Sequence, residues 1–335
     1  MENNEKIDIV VSWLDDNDPI WQAEFNKYSD NPSFDVGANN NARFRDYDLF
    51  KYWFRGIDKY APWVNKIHIV TFGHIPGWLD TNNSKINIVK HTDFIPSEYL
   101  PTFSSDTIAL NLHRIPNLQE YFVYFNDDMY MINPTTATDF FKNGKPCDFF
   151  TLIPAGSSET FNHYAINNMI LIHREFSKKQ IIDNNKRKMF CFHTSMKSLV
   201  SNLLQLPYGY ISDILHYHLT TPLTRTLYLE LWDKHSIEFN KTSKNKFRDI
   251  SDVTDWYIRM YYLANGNYHP KNMDKFGHYY SIKDIENIDR ILSSKYKIIC
   301  LNDDISLDEV SFNNKKNILL EGFEKKFPDC SIFEK

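Results

Sequence analysis

Short apolar runs alternate with helix signals over roughly the first 130 residues, and this alternation restricts the fold more than any other feature. The runs are "IDIVVSW", "KIHIVTFG", "KINIVKH" and "YFVYF". Tyr47, Phe50, Phe54 and Ile57 recur at helical spacing, and "SSDTIALNLHRI" opens on a Ser cap and stops before Pro116. Strands separated by helices pair in parallel through right-handed crossovers. The sequence therefore predicts an α/β fold, Rossmann-like, with a mostly parallel sheet and helices on both faces.

The second half of the chain has a different pattern. From about Glu159 to Gly266 the signals are mostly helical, and "SDVTDWYIRMYYLANG" is the clearest case. We expect residues 1–155 to form the α/β core, residues 156–280 a mainly helical insertion, and residues 281–335 a return strand and a C-terminal tail. The return strand, "KIIC", is assigned to the same sheet as the first half. The residues after about Asp303 are charged and weakly patterned.

Composition excludes several classes of protein. The net charge of −5 offers no overall basic field for nucleic acid, so no nucleic acid partner is expected. The longest apolar runs have strand length, and "MENNEKID" lacks an export signal, so neither a membrane span nor a signal peptide is predicted. The four cysteines are widely separated, which favours free thiols in a reducing cytoplasm. Aromatic residues make up 16% of the chain, which indicates an aromatic core or, alternatively, sugar-stacking surfaces.

Two apolar runs end on the same tripeptide, Asn-Asp-Asp. "YFVYF" leads into Asn126, Asp127 and Asp128, and "KIIC" is followed by Asn302–Asp304. In open parallel sheets, ligands bind beyond the carboxyl ends of the strands. Paired carboxylates at that edge suit Mg²⁺, which takes oxygen ligands, although Asn and Asp are also ordinary turn residues. Each tripeptide can therefore be interpreted either as part of a metal site or as a surface turn.

Other charged residues follow the first strand or precede the first strong helix. Asp15, Asp16 and Asp18 come directly after "IDIVVSW", where a turn and a site are equally plausible. Arg43 and Arg45 stand just before the helix of "RFRDYDLF". Guanidinium groups and the amides of a helix N-terminus together hold phosphate, and a solvated helix face is the competing interpretation.

Histidine and glycine usage narrows the chemistry further. His216 and His218 lie two residues apart without clustered Cys or His partners, so a general base is favoured over a zinc site. His113 stands beside Arg114. There is no Gly-rich phosphate loop and no nucleophile elbow, and the chain has only 10 Gly. Phosphate binding must then come from side chains, helix ends and metal.

Longer strings resemble, in order, the conserved regions of the Stealth family. They are "IDIVVSWLDDNDP", "ARFRDYDLFKYWFRGIDKYAPWVNKIHIVTFGHIPGWL", "INIVKHTDFIP", "LPTFSSDTIALNLHRIPNLQEYFVYFNDDM", "TSKNKFRDISDVTDW" and "KIICLNDDI". The family contains bacterial capsular or cell-wall polysaccharide hexose-1-phosphate transferases and the eukaryotic lysosomal-enzyme N-acetylglucosamine-1-phosphotransferase α/β subunit. The resemblance runs from about Ile7 to Asp304. The spacer and recognition modules of the animal enzymes are missing, which favours a compact bacterial enzyme.

The resemblance implies a reaction. A hexose- or N-acetylhexosamine-1-phosphate would pass from a UDP-sugar (UDP-GlcNAc, UDP-GalNAc or a UDP-hexose) to a hydroxyl of a growing capsular or cell-wall polysaccharide, with Mg²⁺ or Mn²⁺ and release of UMP. A metal-dependent glycosyltransferase that releases UDP is the alternative, and a catalytically silent carbohydrate-binding protein is the third. The expected location is the cytoplasm, and peripheral association with the inner face of the cell membrane through a lipid-linked acceptor stays open.

The resemblance also assigns residues, motif by motif. Catalysis would involve Asp15, His218 and Arg248. Donor and phosphate binding would involve Arg43, Arg45, Asp46, Asn111, His113 and Arg114. Metal binding would involve Asp127, Asp128 and, if the second tripeptide reaches the same edge, Asp303. The first motif more often reads Ser-Trp-Val-Asp-Gly, whereas here Leu14 and Asp16 fill the variable places. The alignment around His218 is loose, so His216 remains a rival for the role of base.

Overall fold

The structure is a computed structural model that describes residues 5–29, 44–156 and 162–335. Its strands are β1 (Ile7–Ser12), β2 (Ile67–Thr71), β3 (Ile86–Lys90), β4 (Tyr121–Asn126), β5 (Met129–Met131), β6 (Phe141–Lys142), β7 (Lys145–Asp148), β8 (Leu152–Ile153), β9 (Asp213–Ile214), β10 (Thr221–Thr224), β11 (His269–Pro270), β12 (Gly277–Ser281) and β13 (Ile298–Asn302). Its α-helices are α1 (Pro19–Ser29), α2 (Phe50–Tyr60), α3 (His91–Phe94), α4 (Ser105–Leu110), α5 (Asn162–Glu175), α6 (Lys178–Met189), α7 (Met196–Gln205), α8 (Arg225–Lys234), α9 (Ser236–Lys244), α10 (Trp256–Ala264), α11 (Met273–Phe276), α12 (Ile288–Leu292) and α13 (Glu309–Lys326).

The central sheet has the strand order β10-β4-β1-β2-β3. The four strands β1 to β4 are parallel to their neighbours, and β10 runs antiparallel along β4. Ser12, at the end of β1, lies opposite Asn126, at the end of β4. The chain builds β2 and β3 on one side of β1 and then crosses to place β4 on the other side. This reversal is a topological switch point, where ligands bind in sheets of this kind.

Helices cover both faces of this sheet. Alternate residues of β1 point to opposite faces, so Ile9 and Val11 pack in one core cluster and Val10 packs in another. The first cluster includes residues of α2 and α13, and the second includes residues of α4, α5, α8 and α10. The predicted mostly parallel α/β fold with helices on both faces is confirmed.

The helical second half contributes a strand to the central sheet. Helices α5 to α10 occupy most of it, but β10 pairs with β4 in the register Thr221 opposite Tyr124 and Thr224 opposite Tyr121. Because β10 runs antiparallel to β4, the residues just before β10 lie at the carboxyl end of β4. His218 is therefore brought to the edge of the sheet that carries Asp127 and Asp128.

The prediction that "KIIC" joins the central sheet is wrong. That segment forms β13, which lies between β12 and β5 in a separate sheet of three strands. Both edges of β4 are already paired, with β1 and with β10, so no position next to β4 is left. β5 follows β4 after only Asp127 and Asp128, and Cys300 lies opposite Met129. β13 thus reaches the same edge of the molecule through β5.

The weakly patterned tail contains a long helix that the sequence did not reveal. α13 begins after Asp308, whose side chain accepts a hydrogen bond from the Ser311 amide, and its buried residues are Leu319, Gly322 and Phe323. Three buried residues in 18 make a narrow stripe, which explains the weak periodicity. The helix packs on the α2 side of the central sheet.

A buried ion pair ties α2 to the last residues of the chain. Arg55 donates through Nε to Glu334 Oε1 at 2.9 Å and through Nη2 to Oε2 at 2.8 Å, and its Nη1 donates to the Phe327 carbonyl at 2.7 Å. Burial alone would raise the pKa of Glu334, but the hydrogen bonds from Arg55 and Ser331 outweigh it and hold that pKa at about 2. The pair holds the C-terminal segment against the core.

We expect Glu334→Gln to lower the free energy of unfolding by about 3 kcal/mol, because the buried Arg55 charge then keeps only the half-exposed Glu324, 3.5 Å from its Nη1, as a counter-charge. Urea denaturation at pH 7 measures the loss, and the exposed Glu321→Gln on α13 is the matched control, with an expected change within about 0.5 kcal/mol. Equal urea midpoints for the two variants would show that the pair does not hold the segment.

Candidate active site at the switch point

The loop after β1 is fixed by a histidine that follows β2. The backbone amide of Asp15 donates to His74 Nε2 at 3.0 Å, and His74 Nδ1 lies 3.1 Å from Asp18 Oδ2. An Nε2 that accepts a hydrogen bond carries no proton, so Nδ1 carries it and donates to Asp18. Trp13 stacks on Phe50 of α2, with ring centroids 5.1 Å apart. The acidic loop is therefore held at the carboxyl edge of the sheet.

Carboxylates crowd together at this edge. Burial and the charges of Asp128 and Asp46 raise the pKa of Asp127 well above its ordinary value. Burial, followed by the charges of Asp48 and Asp16, raises the pKa of Asp46 to about 6. The common cause is that several negative charges lie close together with little water between them. We call Asp16, Asp46, Asp127 and Asp128 the acidic rim.

Asp128 is the centre of a smaller cluster. Its Oδ2 lies 3.6 Å from His218 Nε2 and accepts a hydrogen bond from Cys300 Sγ at 3.3 Å. One ligand atom from each of these three residues lies within 4.8 Å of the other two. Asp128 Oδ1 is buried, and among the described residues it has no hydrogen-bond partner. A buried carboxylate oxygen without a donor can serve as a ligand atom, so Asp128 Oδ1 fits a divalent cation that takes oxygen ligands.

The two neighbouring histidines lie in different environments. His216 is stacked on Trp256, with ring centroids 4.0 Å apart, and burial followed by the charges of Arg259 and His218 lowers its pKa well below the ordinary value. Its Nδ1 accepts the backbone N–H of His218 at 2.9 Å. His218 has φ of 47°, a left-handed conformation that non-glycine residues rarely adopt. His216 is thus a neutral support, and the strained backbone directs the His218 ring to Asp128.

Arg248 belongs to a second polar group beside His218. Its Nε donates to Ser105 Oγ at 3.0 Å and lies 3.8 Å from Asp106 Oδ2. Burial and the charge of Asp106 raise the pKa of Asp255 to about 7, while the positive charges of His218 and Arg248 oppose that rise. Arg248 and His218 are therefore close enough to act on the same carboxyl group.

Arg45 and Asp303 bind each other. Arg45 Nε donates to Asp303 Oδ2 at 2.8 Å, and the Tyr47 hydroxyl donates to Asp303 Oδ1 at 2.5 Å. Arg45 Nη1 also donates to the Leu307 carbonyl at 3.0 Å. Both Asp303 oxygens accept hydrogen bonds from within the chain, so a metal at Asp303 or a phosphate at Arg45 would have to share these groups with the contacts that hold them. Arg43 lies outside the described residues.

Among the described residues, no hydrogen bond or ion pair joins Asn111, His113 or Arg114 to the acidic rim. The His113 carbonyl accepts Arg225 Nε at 3.0 Å, and the Arg225 amide donates to the Glu120 carbonyl, which directly precedes β4. His113 is therefore linked through Arg225 to the residue that precedes the amino end of β4. His113 is buried, and burial followed by the charges of Arg114 and Arg225 lowers its pKa to about 3. The Asn111 amide group is bonded within the fold.

Several residues of the site gave no recognisable signal in the sequence. Asp255 occupies the N-cap position of α10, where Asp is common, yet its side chain makes no capping hydrogen bond. Cys300 reads as a buried strand residue, and Trp256 reads as the first residue of an amphipathic helix. The pairing of β13 with β5 brings Cys300 to Asp128, and the start of α10 brings Asp255 and Trp256 beside His218.

Comparison with known proteins gives the family of this chain. The family model described as "Stealth protein CR2, conserved region 2" matches residues 43–148. The chain is 40% identical over 340 residues to "Capsular polysaccharide phosphotransferase WcwK" of Streptococcus pneumoniae, and the match covers 100% of both chains. It is 36% identical to "Receptor polysaccharide phosphotransferase WefC" of Streptococcus oralis, over 98% of this chain and 99% of that protein.

A crystal structure of the galactosyltransferase LgtC in complex with donor and acceptor sugar analogs covers 94% of this chain and 95% of its own, at 10% identity and a TM-score of 0.37. This likeness is too weak to support an inference about function. The fold and the acidic rim define an α/β protein with its site at the switch point of a mostly parallel sheet. The full-length similarities are more specific: the chain belongs to the Stealth polysaccharide phosphotransferases, as the sequence motifs predicted, and it is a phosphotransferase.

Raised carboxyl pKa values predict how the protein responds to metal and pH. The folded state retains protons on Asp46 and Asp127 that the unfolded chain has released, so the stability of the metal-free protein falls as pH rises through about 6. A cation replaces those protons. We expect Mg²⁺ or Mn²⁺ to raise the melting temperature more at pH 7.5 than at pH 5.5, with the excess lost in Asp127→Asn.

Differential scanning fluorimetry with and without EDTA measures this response, and Asp233→Asn, at an exposed position on α8, is the matched control. A metal-induced shift that is the same at both pH values, or the same in Asp127→Asn and Asp233→Asn, would contradict a cation at the acidic rim.

Proposed function

We propose that this enzyme transfers a sugar-1-phosphate unit from a UDP-sugar to a hydroxyl of a growing capsular or cell-wall polysaccharide and releases UMP. The observation that carries the proposal is the full-length similarity to proteins named capsular and receptor polysaccharide phosphotransferases. The donor would be UDP-GlcNAc, UDP-GalNAc or a UDP-hexose. The position of His218 beside Asp128, at the switch point of the sheet, supplies the chemical groups that the transfer needs.

Asp127 and Asp128 would hold a divalent cation, Mg²⁺ or Mn²⁺. The support is the unpartnered Asp128 Oδ1 and the raised pKa of Asp127, whose causes are burial followed by the charge of Asp128. When bound, such a cation neutralises negative charge on a diphosphate. Burial and Asp128 raise the pKa of the Cys300 thiol well above its ordinary value, so Cys300 acts as a hydrogen-bond donor to Asp128.

His218 would accept the proton of the acceptor hydroxyl. A hydroxyl is a poor nucleophile at neutral pH, and a positioned base typically contributes about 10²–10⁴-fold to the rate. The ring is partly exposed, with 31% of the side-chain surface accessible, whereas His216 is packed against Trp256. The charge of Asp128 beside Nε2 would stabilise the imidazolium that forms. Arg248 lies close to Asp255, as His218 does. Its positive charge would offset the negative charge on the transferring phosphate.

Among the described residues, no helix is both long enough and apolar enough to span a membrane. We place the proposed reaction at the inner face of the cell membrane, where a polysaccharide grows on a lipid carrier. The acceptor would then be presented from the bilayer, and the UDP-sugar would arrive from the cytoplasm.

The role of His218 predicts a chemical rescue. His218→Gly removes the imidazole and keeps the left-handed backbone, which glycine adopts without strain. We expect kcat to fall by about 10²–10⁴-fold and free imidazole in the buffer to restore part of it. His216→Asn is the matched control and should lose less activity and gain nothing from imidazole. Rescue of the His216 variant alone would move the base to His216.

The nucleotide product distinguishes phosphotransfer from glycosyl transfer. Attack on the phosphorus next to the sugar leaves UMP, whereas attack on the anomeric carbon leaves UDP. We expect stoichiometric UMP when the enzyme is incubated with a UDP-sugar, an oligosaccharide acceptor and Mn²⁺, with nucleotides separated by ion exchange. A boiled enzyme and an acceptor-free sample are the controls. UDP together with a phosphate-free glycoside would replace the proposal with a conventional glycosyltransferase.

A further inference from the structure

Helix α7 has its hydrophobic face toward solvent, the reverse of an ordinary surface helix. Its exposed positions are spaced by three and four residues, and the apolar ones are Met196 (74% exposed), Val200 (49%), Leu203 (56%) and Leu204 (64%). At 100° per residue these four side chains span an arc of about 100° on one side of the helix. Apolar side chains that share a face in this way mark a binding surface, whereas scattered exposed apolar residues are normal.

Polar side chains occupy the inner face of the same helix and fix its orientation. Asn202 is fully buried, and its Oδ1 accepts the Leu152 amide at 2.7 Å. Ser201 Oγ donates to the Leu152 carbonyl at 2.6 Å, and the side chain of Ser195 caps the first turn. Rotating α7 to bury its apolar face would break these bonds. The outward apolar face is thus held in place by the fold.

Aromatic and basic residues surround this face. The loops on either side of α7 expose large aromatic side chains, namely Phe190 (44%), Phe192 (91%), Tyr208 (58%) and Tyr210 (65%). Residues 178–210 carry six Lys or Arg residues against one acidic residue, Asp183, a net charge of +5 in a chain whose total is −5. Lys179, Lys186, Arg187 and Lys197 are exposed. We call residues 178–210 the α6–α7 surface.

We infer that the α6–α7 surface docks the enzyme on an anionic lipid bilayer. An apolar helix face flanked by aromatic and basic side chains lies in the plane of a membrane interface, with the apolar side chains among the acyl chains and the basic ones at the headgroups. A second copy of this chain would set +5 against +5, and the repulsion disfavours that occupant. The bilayer supplies both the apolar and the negative partner that the surface lacks.

The surface also borders the approach to the candidate site. A cleft lined by Lys188, Ser195 and Tyr217 begins beside α7, and an adjoining cleft shares Tyr217 and extends to His216. The α6–α7 surface and the residues next to His218 are therefore neighbours on the molecule. The biological reason for docking rests on the proposed function. The binding to lipid itself does not, because it needs no turnover.

The test is cosedimentation of the full chain with vesicles. We expect binding to vesicles of phosphatidylglycerol and phosphatidylcholine, weaker binding to phosphatidylcholine alone, and partial loss at high salt, where screening weakens the basic contacts. Val200→Asn with Leu203→Asn should lower the bound fraction at limiting lipid by about ten-fold or more, because both side chains lose their partition into the acyl region. Ile237→Asn with Val310→Asn, at positions 81% and 70% exposed elsewhere, is the matched control and should bind as the parent does.

Circular dichroism and release of UMP with a soluble acceptor separate docking from folding and catalysis. A folded double α7 variant that keeps soluble-acceptor turnover and loses vesicle binding supports the inference. No vesicle binding by the parent, or equal binding by both double variants, overturns it. The inference is also overturned if light scattering detects a dimer of the parent and the α7 double variant is monomeric. That result would assign the surface to a second copy of the chain. An inactive parent that still binds vesicles would overturn the proposed function and leave docking intact.

Discussion

The position of β4 between β1 and β10 determines the rest of the site. Parallel pairing with β1 sets Asn126 opposite Ser12, so the acidic residues after both strands meet at one edge. Antiparallel pairing with β10 sets Thr221 opposite Tyr124 and brings the preceding His218 to the same edge. Because β4 then turns directly into β5, β13 also ends there, with Cys300 beside Asp128. The residues that follow β1, precede β10 and belong to β13 therefore meet at the carboxyl end of β4.

Convergence of so many carboxylates is unfavourable unless a cation or protons offset the repulsion. Burial, followed by this repulsion, raises the pKa values of Asp16, Asp46 and Asp127, and the strained backbone of His218 adds about 1 kcal/mol or more. Strain and charge crowding of this kind persist where function requires them. The stacked pair of His216 and Trp256, together with the hydrogen bond from the His218 amide to His216 Nδ1, holds His218 in place.

Local sequence patterns predicted those parts of the fold that local physics decides. The strands of the first half, the Ser104 cap of α4 and the acidic residues at strand ends follow from side-chain periodicity and turn chemistry. The sheet that receives β13 depends on which edges of β4 are free, and no local pattern contains that information. The same holds for Arg45 and Asp303, which are 258 residues apart and bind each other, and for His113, whose carbonyl is bonded to Arg225 at the start of α8. Helix α13 was not predicted because it buries only three residues, which gives the sequence little helical periodicity.

The central claim is that the bond broken lies between phosphorus and the UMP oxygen, and an isotope label tests it directly. A UDP-sugar would carry ¹⁸O in the bond between the anomeric carbon and phosphorus, and the ³¹P NMR isotope shift would locate the label after the reaction. Phosphotransfer predicts ¹⁸O in the phosphodiester of the polysaccharide product and none in the UMP, because the sugar–oxygen bond survives. Label recovered in UDP would show that the anomeric carbon was attacked and would contradict the claim.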